Sequence, residues 1–95
     1  MKDRIRTLHP EGKQGVNISR QKYDVMRQAI LDALRVHGEM TFTDLTEDVR
    51  RNLESTFEGS INWYVTTVKL DLEARGEITR IAEKTPQRLR LAAEA

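Results

Sequence analysis

Between Gln21 and His37 the apolar residues Tyr23, Met26, Ile30, Ala33 and Leu34 fall at i, i+3, i+7, i+10 and i+11. That spacing places them on one face of a helix, and Gly38 follows where a left-handed cap residue ends such a run. The same device recurs twice. Met40-Thr41-Phe42 is long enough only for a short strand, and Thr43 is then in place to cap a second helix with Leu45, Val49 and Leu53 at i, i+4, i+8. Asp44, Glu47 and Asp48 sit in its early turns, where the helix dipole favours negative charge. Ser55 to Gly59 reads as a turn, and Ser60 as the cap of a third helix with Ile61, Val65, Val68 and Leu72 in its buried row. Arg75-Gly76 closes that helix as Gly38 closes the first.

After Gly76 the period changes. Ile78 and Arg80, then Leu89, Arg90 and Leu91, show the short alternations of strands on either side of a polar turn at Lys84-Thr85-Pro86. The expected order is helix, short strand, helix, helix, hairpin, an α+β and mainly α arrangement. Residues 1–20 are expected to form an extended N-terminal arm, 21–92 the folded domain and 93–95 a tail. A chain of 95 residues has room for one small core, and with no cysteine it must hold by packing alone. The two histidines, His9 and His37, are too few for a structural zinc site, and no metal or other cofactor is expected. No run approaches a membrane span and the N-terminus lacks the apolar region of a signal peptide, so a cytoplasmic protein is expected.

The run "VTTVKLDLEARGEITRI" resembles the second half of winged helix-turn-helix domains. Val68 and Leu72 stand eight and four residues before Gly76, and Ile78 opens the first strand of the wing. The resemblance covers Tyr23 to Leu91 and implies three helices plus a C-terminal two-stranded wing. Such domains include transcription regulators, restriction-system domains and protein-interaction modules, so the fold leaves function open. "SINWYVTTVKLDLEARG" is similar in pattern to the third helix of the restriction-associated members. "LHPEGKQGVNISRQKYDVMRQAIL" resembles the opening of a family of small uncharacterised bacterial proteins, which implies a label and no activity.

Gly12-Lys13 is the pair found in phosphate-binding loops, but the required first glycine is replaced by Thr7 and the required hydroxyl by Gln14, and no apolar strand precedes the loop. Catalysis has no better candidate. His37 fits a helix C-terminus better than acid/base work, and Ser55 and Ser60 are explained as turn and cap. The chain is not expected to be an enzyme.

Net charge is +1, yet residues 1–22 sum to +4, 23–77 to −5 and 78–95 to +2. Basic ends around an acidic middle suit either a polyanion or a second copy of the chain. The leading reading is binding of double-stranded DNA by a regulator or accessory subunit. In that reading Asn62 and Thr66 face base edges, Lys69 meets a phosphate or guanine, and Arg80, Lys84, Arg88 and Arg90 clamp the backbone. Arg4, Arg6 and Lys13 would follow an adjacent minor groove. Against it, Asp71 and Glu73 lie on the same helix, and Trp63 and Leu70 put an apolar stripe opposite the core. That stripe suits a protein-interaction module without DNA binding, or a covering by the arm, with Leu8, Val16 or Ile18 packing on the third helix of its own chain or, in a homodimer, of a partner.

Overall fold

The computed structural model describes residues 3–81 and 86–92. It is an α+β arrangement in which β1 (Arg4–Arg6) and β2 (Asn17–Ser19) precede α1 (Arg20–His37), β3 (Glu39–Thr41), α2 (Phe42–Leu53), α3 (Ile61–Ala74), β4 (Ile78–Ile81) and β5 (Arg88–Leu91). The three helices make up roughly half of the chain. The strands form two antiparallel sheets, β1-β2 and β3-β5-β4. The turn residues Lys84 and Thr85, residues 1–2 and the tail 93–95 lie outside the described residues.

The helical rows bury as their spacing requires. Tyr23, Met26, Ile30, Ala33 and Leu34 of α1 meet Leu45 and Val49 of α2 and Ile61, Val65, Val68 and Leu72 of α3 in one core, with Leu31 added at the edge of the α1 row. The sheet closes the core through Met40, Ile78 and Leu89. In register Met40 faces Leu89, Arg80 faces Leu89 and Ile78 faces Leu91. Directly paired residues share a face of a sheet. Ile78, Arg80, Leu89 and Leu91 therefore share the face that meets the helices, and Arg88 and Arg90 lie on the other.

Helix ends follow the sequence with one correction. The Ser60 hydroxyl accepts from Trp63 N at 3.2 Å as expected, but α2 is capped by Thr41, whose Oγ1 accepts from Asp44 N at 3.1 Å, and not by Thr43. The strand-to-helix junction is thus immediate, and Thr41 serves as the last residue of β3 and the cap of α2. At the end of α3, Gly76 N donates to Glu73 O and Glu77 N to Leu72 O, with Gly76 at φ 78°. This double bond pattern turns the chain sharply into β4.

The N-terminal segment is the main departure. Instead of an extended arm it is a hairpin folded against the body. Arg4 pairs with Ser19, Ile5 with Ile18 and Arg6 with Asn17. The loop between them is closed by Thr7, which is buried: its N–H donates to Val16 O at 2.8 Å and its Oγ1 accepts from Val16 N at 3.0 Å. Gly15 passes so close that a Cβ there would stand 1.8 Å from the Thr7 carbonyl oxygen. Ile18, expected at an interface, is 4% exposed and belongs to the chain's own core.

A buried carboxylate fastens the hairpin to the helices. Asp71 of α3 is fully buried. One oxygen accepts from Leu8 N at 2.8 Å, and the other accepts from the Tyr23 hydroxyl and from Arg75 Nε at 2.8 Å. The expectation that Asp71 lies on the surface is corrected for this reason: on the wheel it falls between the Val68–Leu72 core row and the Thr67–Ala74 row, where the hairpin covers it. Every buried side-chain nitrogen and oxygen among the described residues has a partner, as a stable core requires.

Gly15→Ala is expected to lower the thermal midpoint strongly, since forced overpacking costs about 1–3 kcal/mol and each kcal/mol is worth about 4–8 °C in a domain of this size. Gly12→Ala meets open space and only a φ of 76°, so its loss in a circular-dichroism melt should be the smaller, about 1 kcal/mol. Burial, then the bond to Asp71, raises the Tyr23 hydroxyl above its ordinary value of 10.0. The protonated phenol thus contributes stability that is complete below pH 10 and is lost as pH rises beyond it. Urea midpoints followed from neutral pH to above about pH 10 should fall more steeply for the wild type than for Tyr23→Phe.

Candidate functional site

α3 contributes to two surfaces of different chemistry. The first holds the polar residues Asn62, Thr66, Lys69 and Glu73. Glu73 organises it. The Lys69 ammonium stands 3.2 Å from Glu73 Oε1, and Arg80 reaches from β4 to bond both carboxylate oxygens at 3.0 and 2.9 Å. The side chains of Lys69 and Glu73 are only 13% and 6% exposed. Lys69 also lies 5.5 Å above the Phe42 ring at the start of α2. Two of the cations expected to meet DNA are therefore held by one carboxylate inside the fold. A pair this well covered is weakly screened and resists exchange for an outside phosphate.

The remaining expected contacts are scattered. Arg50 of α2 donates to Asn62 Oδ1, and Thr66 Oγ1 donates back to Asn62 O at 2.9 Å. Arg4 spends its guanidinium on the Asn17 side chain and carbonyl at 3.1 and 2.7 Å, and Lys13 pairs with Glu11 at 3.3 Å. Arg6 and Arg90 are exposed and Arg88 half-buried. Lys84 lies outside the described residues. Sequence does not separate the cations among these groups, since each lies in a polar stretch.

The second surface is a groove of about 1200 Å³ between the β1-β2 hairpin, the first turns of α1 and the turn that leads into α3. Its wall is an aromatic ladder. Phe57 meets Tyr64 edge to face at 5.0 Å, and Tyr64 meets Trp63 edge to face at 4.9 Å, arrangements that fix ring orientation. Lys22 sits 5.5 Å over the Tyr64 ring, and Val25 lines the same groove. Trp63 and Val25 remain 45% and 41% exposed.

Of the residues expected at an interface, Trp63 lies in this groove, Leu70 is half-buried, and Leu8 and Val16 are 45% and 37% exposed on the hairpin loop. Val25, Phe57 and Tyr64 carry no signal in the sequence that marks them as a site. Tyr64 and Phe57 are separated by a turn, and only the path of that turn brings the rings together. Among the described residues no three His, Asp or Glu side chains are grouped as metal ligands, and no helix is long and apolar enough to cross a membrane.

No curated protein and no solved structure matches the chain. A family model described as a family of unknown function, DUF6958, matches residues 4–89. The match runs from the first residue of β1 into β5, taking in the hairpin, the aromatic groove and the Glu73 cluster together, and the chain belongs to the DUF6958 family.

Proposed function

We propose that this chain is a winged-helix domain acting as a protein-interaction module, with the aromatic groove as its contact surface. The winged-helix reading is supported by the element order: three helices, then the β4-β5 hairpin, with β5 pairing to β3 between the first two helices. The observation that carries the interaction reading is the half-exposed Trp63, oriented by Tyr64 in a groove that also exposes Val25. Large aromatic side chains held in place before binding give contact area at low entropic cost, and tryptophan dominates the energetics of many interfaces. Glu73 points the same way, since it pairs with both Lys69 and Arg80 beside the helix that a groove reader would present to phosphate.

Double-stranded DNA binding is the second reading, and one observation favours it. Arg88 and Arg90 project from one face of β5, which in a winged helix is the face available to a phosphate backbone, with Asn62 and Thr66 exposed on α3. Fluorescence anisotropy with a random duplex at low salt separates the two. The interaction reading expects no binding tighter than about 10⁻⁴ M, the weak end of non-specific binding, and a several-fold gain on Glu73→Gln, which frees both cations. Tight wild-type binding that Lys69→Ala or Arg90→Ala weakens would overturn it in favour of DNA.

A further inference from the structure

The larger sheet ends on β4, the outer strand of the order β3-β5-β4. One bond sets the phase of its ladder: Ala92 N donates to Glu77 O at 3.0 Å, which makes Glu77 and Ala92 a bonded pair. Bonded and non-bonded pairs alternate along an antiparallel ladder. Thr79 and Ile81 therefore turn their backbone groups inward to Arg90 and Arg88, while Ile78 and Arg80, opposite Leu91 and Leu89, turn theirs outward. Among the described residues no group bonds these outward N–H and C=O groups.

The same edge opens on a cleft of about 360 Å³, lined by Ile78, Thr79 and Arg80 of β4, by Pro10 and Glu11 of the hairpin loop and by Glu73 of α3. Consecutive strand residues point to opposite faces of a sheet, so a cleft that touches all three lies along the edge of the strand. Exposed edges are commonly guarded by a charged side chain. Here that charge is drawn aside, because the Arg80 guanidinium bonds both oxygens of Glu73. The outward backbone groups are complementary to the backbone of another extended chain. Charge selects further: with Arg80 and Glu73 committed to each other, the carboxylate left within reach is Glu11, whose exposed pairing with Lys13 contributes little and is readily exchanged.

We infer that the β4 edge takes an extended peptide segment bearing basic side chains, which adds a strand to the sheet by pairing with the outward backbone groups of Ile78 and Arg80. An arginine or lysine of the segment takes the place of Lys13 at Glu11. The backbone ladder supplies affinity and the side chains supply selection. The cleft shares no described lining residue with the aromatic groove, so this surface goes beyond the interaction reading above and does not depend on it.

Titration of the isotope-labelled full chain with a capped PQRLRLA peptide, followed by nuclear magnetic resonance, tests this; that sequence, residues 86–92, contains the strand that already pairs with β4 on its inner side. The Ile78 and Arg80 amide signals should shift together and saturate, with a dissociation constant below about 1 mM. Two further peptides carry N-methyl groups on the arginines or on the leucines. Only one of these sets can point its N–H at β4, so one peptide should bind at least about fivefold more weakly than the other. Glutamate in place of both arginines should weaken binding as well. Arg80→Ala keeps the outward N–H and should retain binding, whereas Arg80→Pro removes it without breaking a bond to β5 and should abolish binding; if Arg80→Pro fails to fold, the methylated pair decides. Trp63→Ala should bind the peptide as the wild type does, so failure here and failure of the aromatic groove are read separately. No saturable shift at Ile78 and Arg80 up to several millimolar peptide overturns the inference, as do equal binding of the two methylated peptides, undiminished binding of the glutamate peptide or loss of binding in Arg80→Ala.

Discussion

The fully buried carboxylate of Asp71 is the interaction on which the other parts of this domain depend. An ionised group inside a core is tolerated only when its oxygens are fully engaged, and here the three donors come from three places: the Leu8 backbone of the hairpin, the Tyr23 hydroxyl of α1 and the Arg75 guanidinium at the end of α3. Hydrogen bonds to a charged acceptor are stronger than neutral ones, and losing any one leaves a buried charge short of a partner. The carboxylate thus makes the position of the hairpin and the packing of α1 on α3 a single condition. Thr7 and Gly15 extend that condition along the loop, because the Thr7–Val16 pairing sets where Leu8 presents its N–H.

Docking the hairpin creates the groove. β2 runs directly into α1, with Ser19 capping the helix through Lys22 N, so the strand that carries Asn17 and the turn that carries Lys22 are held at a fixed distance. On the other side the turn after α2 places Phe57 against Tyr64. If the hairpin were a loose arm, Arg4 and Asn17 would not border the aromatic wall at all. The groove is therefore a product of the same contacts that stabilise the N-terminal segment.

Two carboxylates two residues apart on α3 take different tasks because of where the helix turns them. Asp71 faces inward, toward the hairpin and α1. Glu73 lies on the side facing α2 and β4, where it gathers Lys69 and Arg80. The sheet register explains the second of these pairs: Arg80 shares a face with Ile78, so the strand starts it on the helix side, where its guanidinium reaches Glu73 while the side chain stays 40% exposed. The cations of α3 and β4 are in this way drawn onto one carboxylate.

The residues that formed the fold were plain in the sequence where periodicity alone fixes burial. Rows such as Tyr23–Leu34 and Ile61–Leu72 bury whatever they pack against, and glycines at 38 and 76 end their helices through local geometry. The alternation after Gly76 likewise made a hairpin the natural reading. The fate of polar side chains was decided by tertiary structure. Asp71 differs from any surface acid of a helix only by the donors that surround it, and two of the three arrive from residues 48 and 63 positions away in the chain. Lys69 meets Glu73 within α3 at i,i+4, but Arg80 joins them only when β4 docks beside that helix. The groove is invisible for the same reason, since Val25, Phe57 and Trp63 come from different elements. Local spacing could determine which faces are apolar; which charges are buried, neutralised or left at a binding surface depends on long-range contacts that no window of sequence contains.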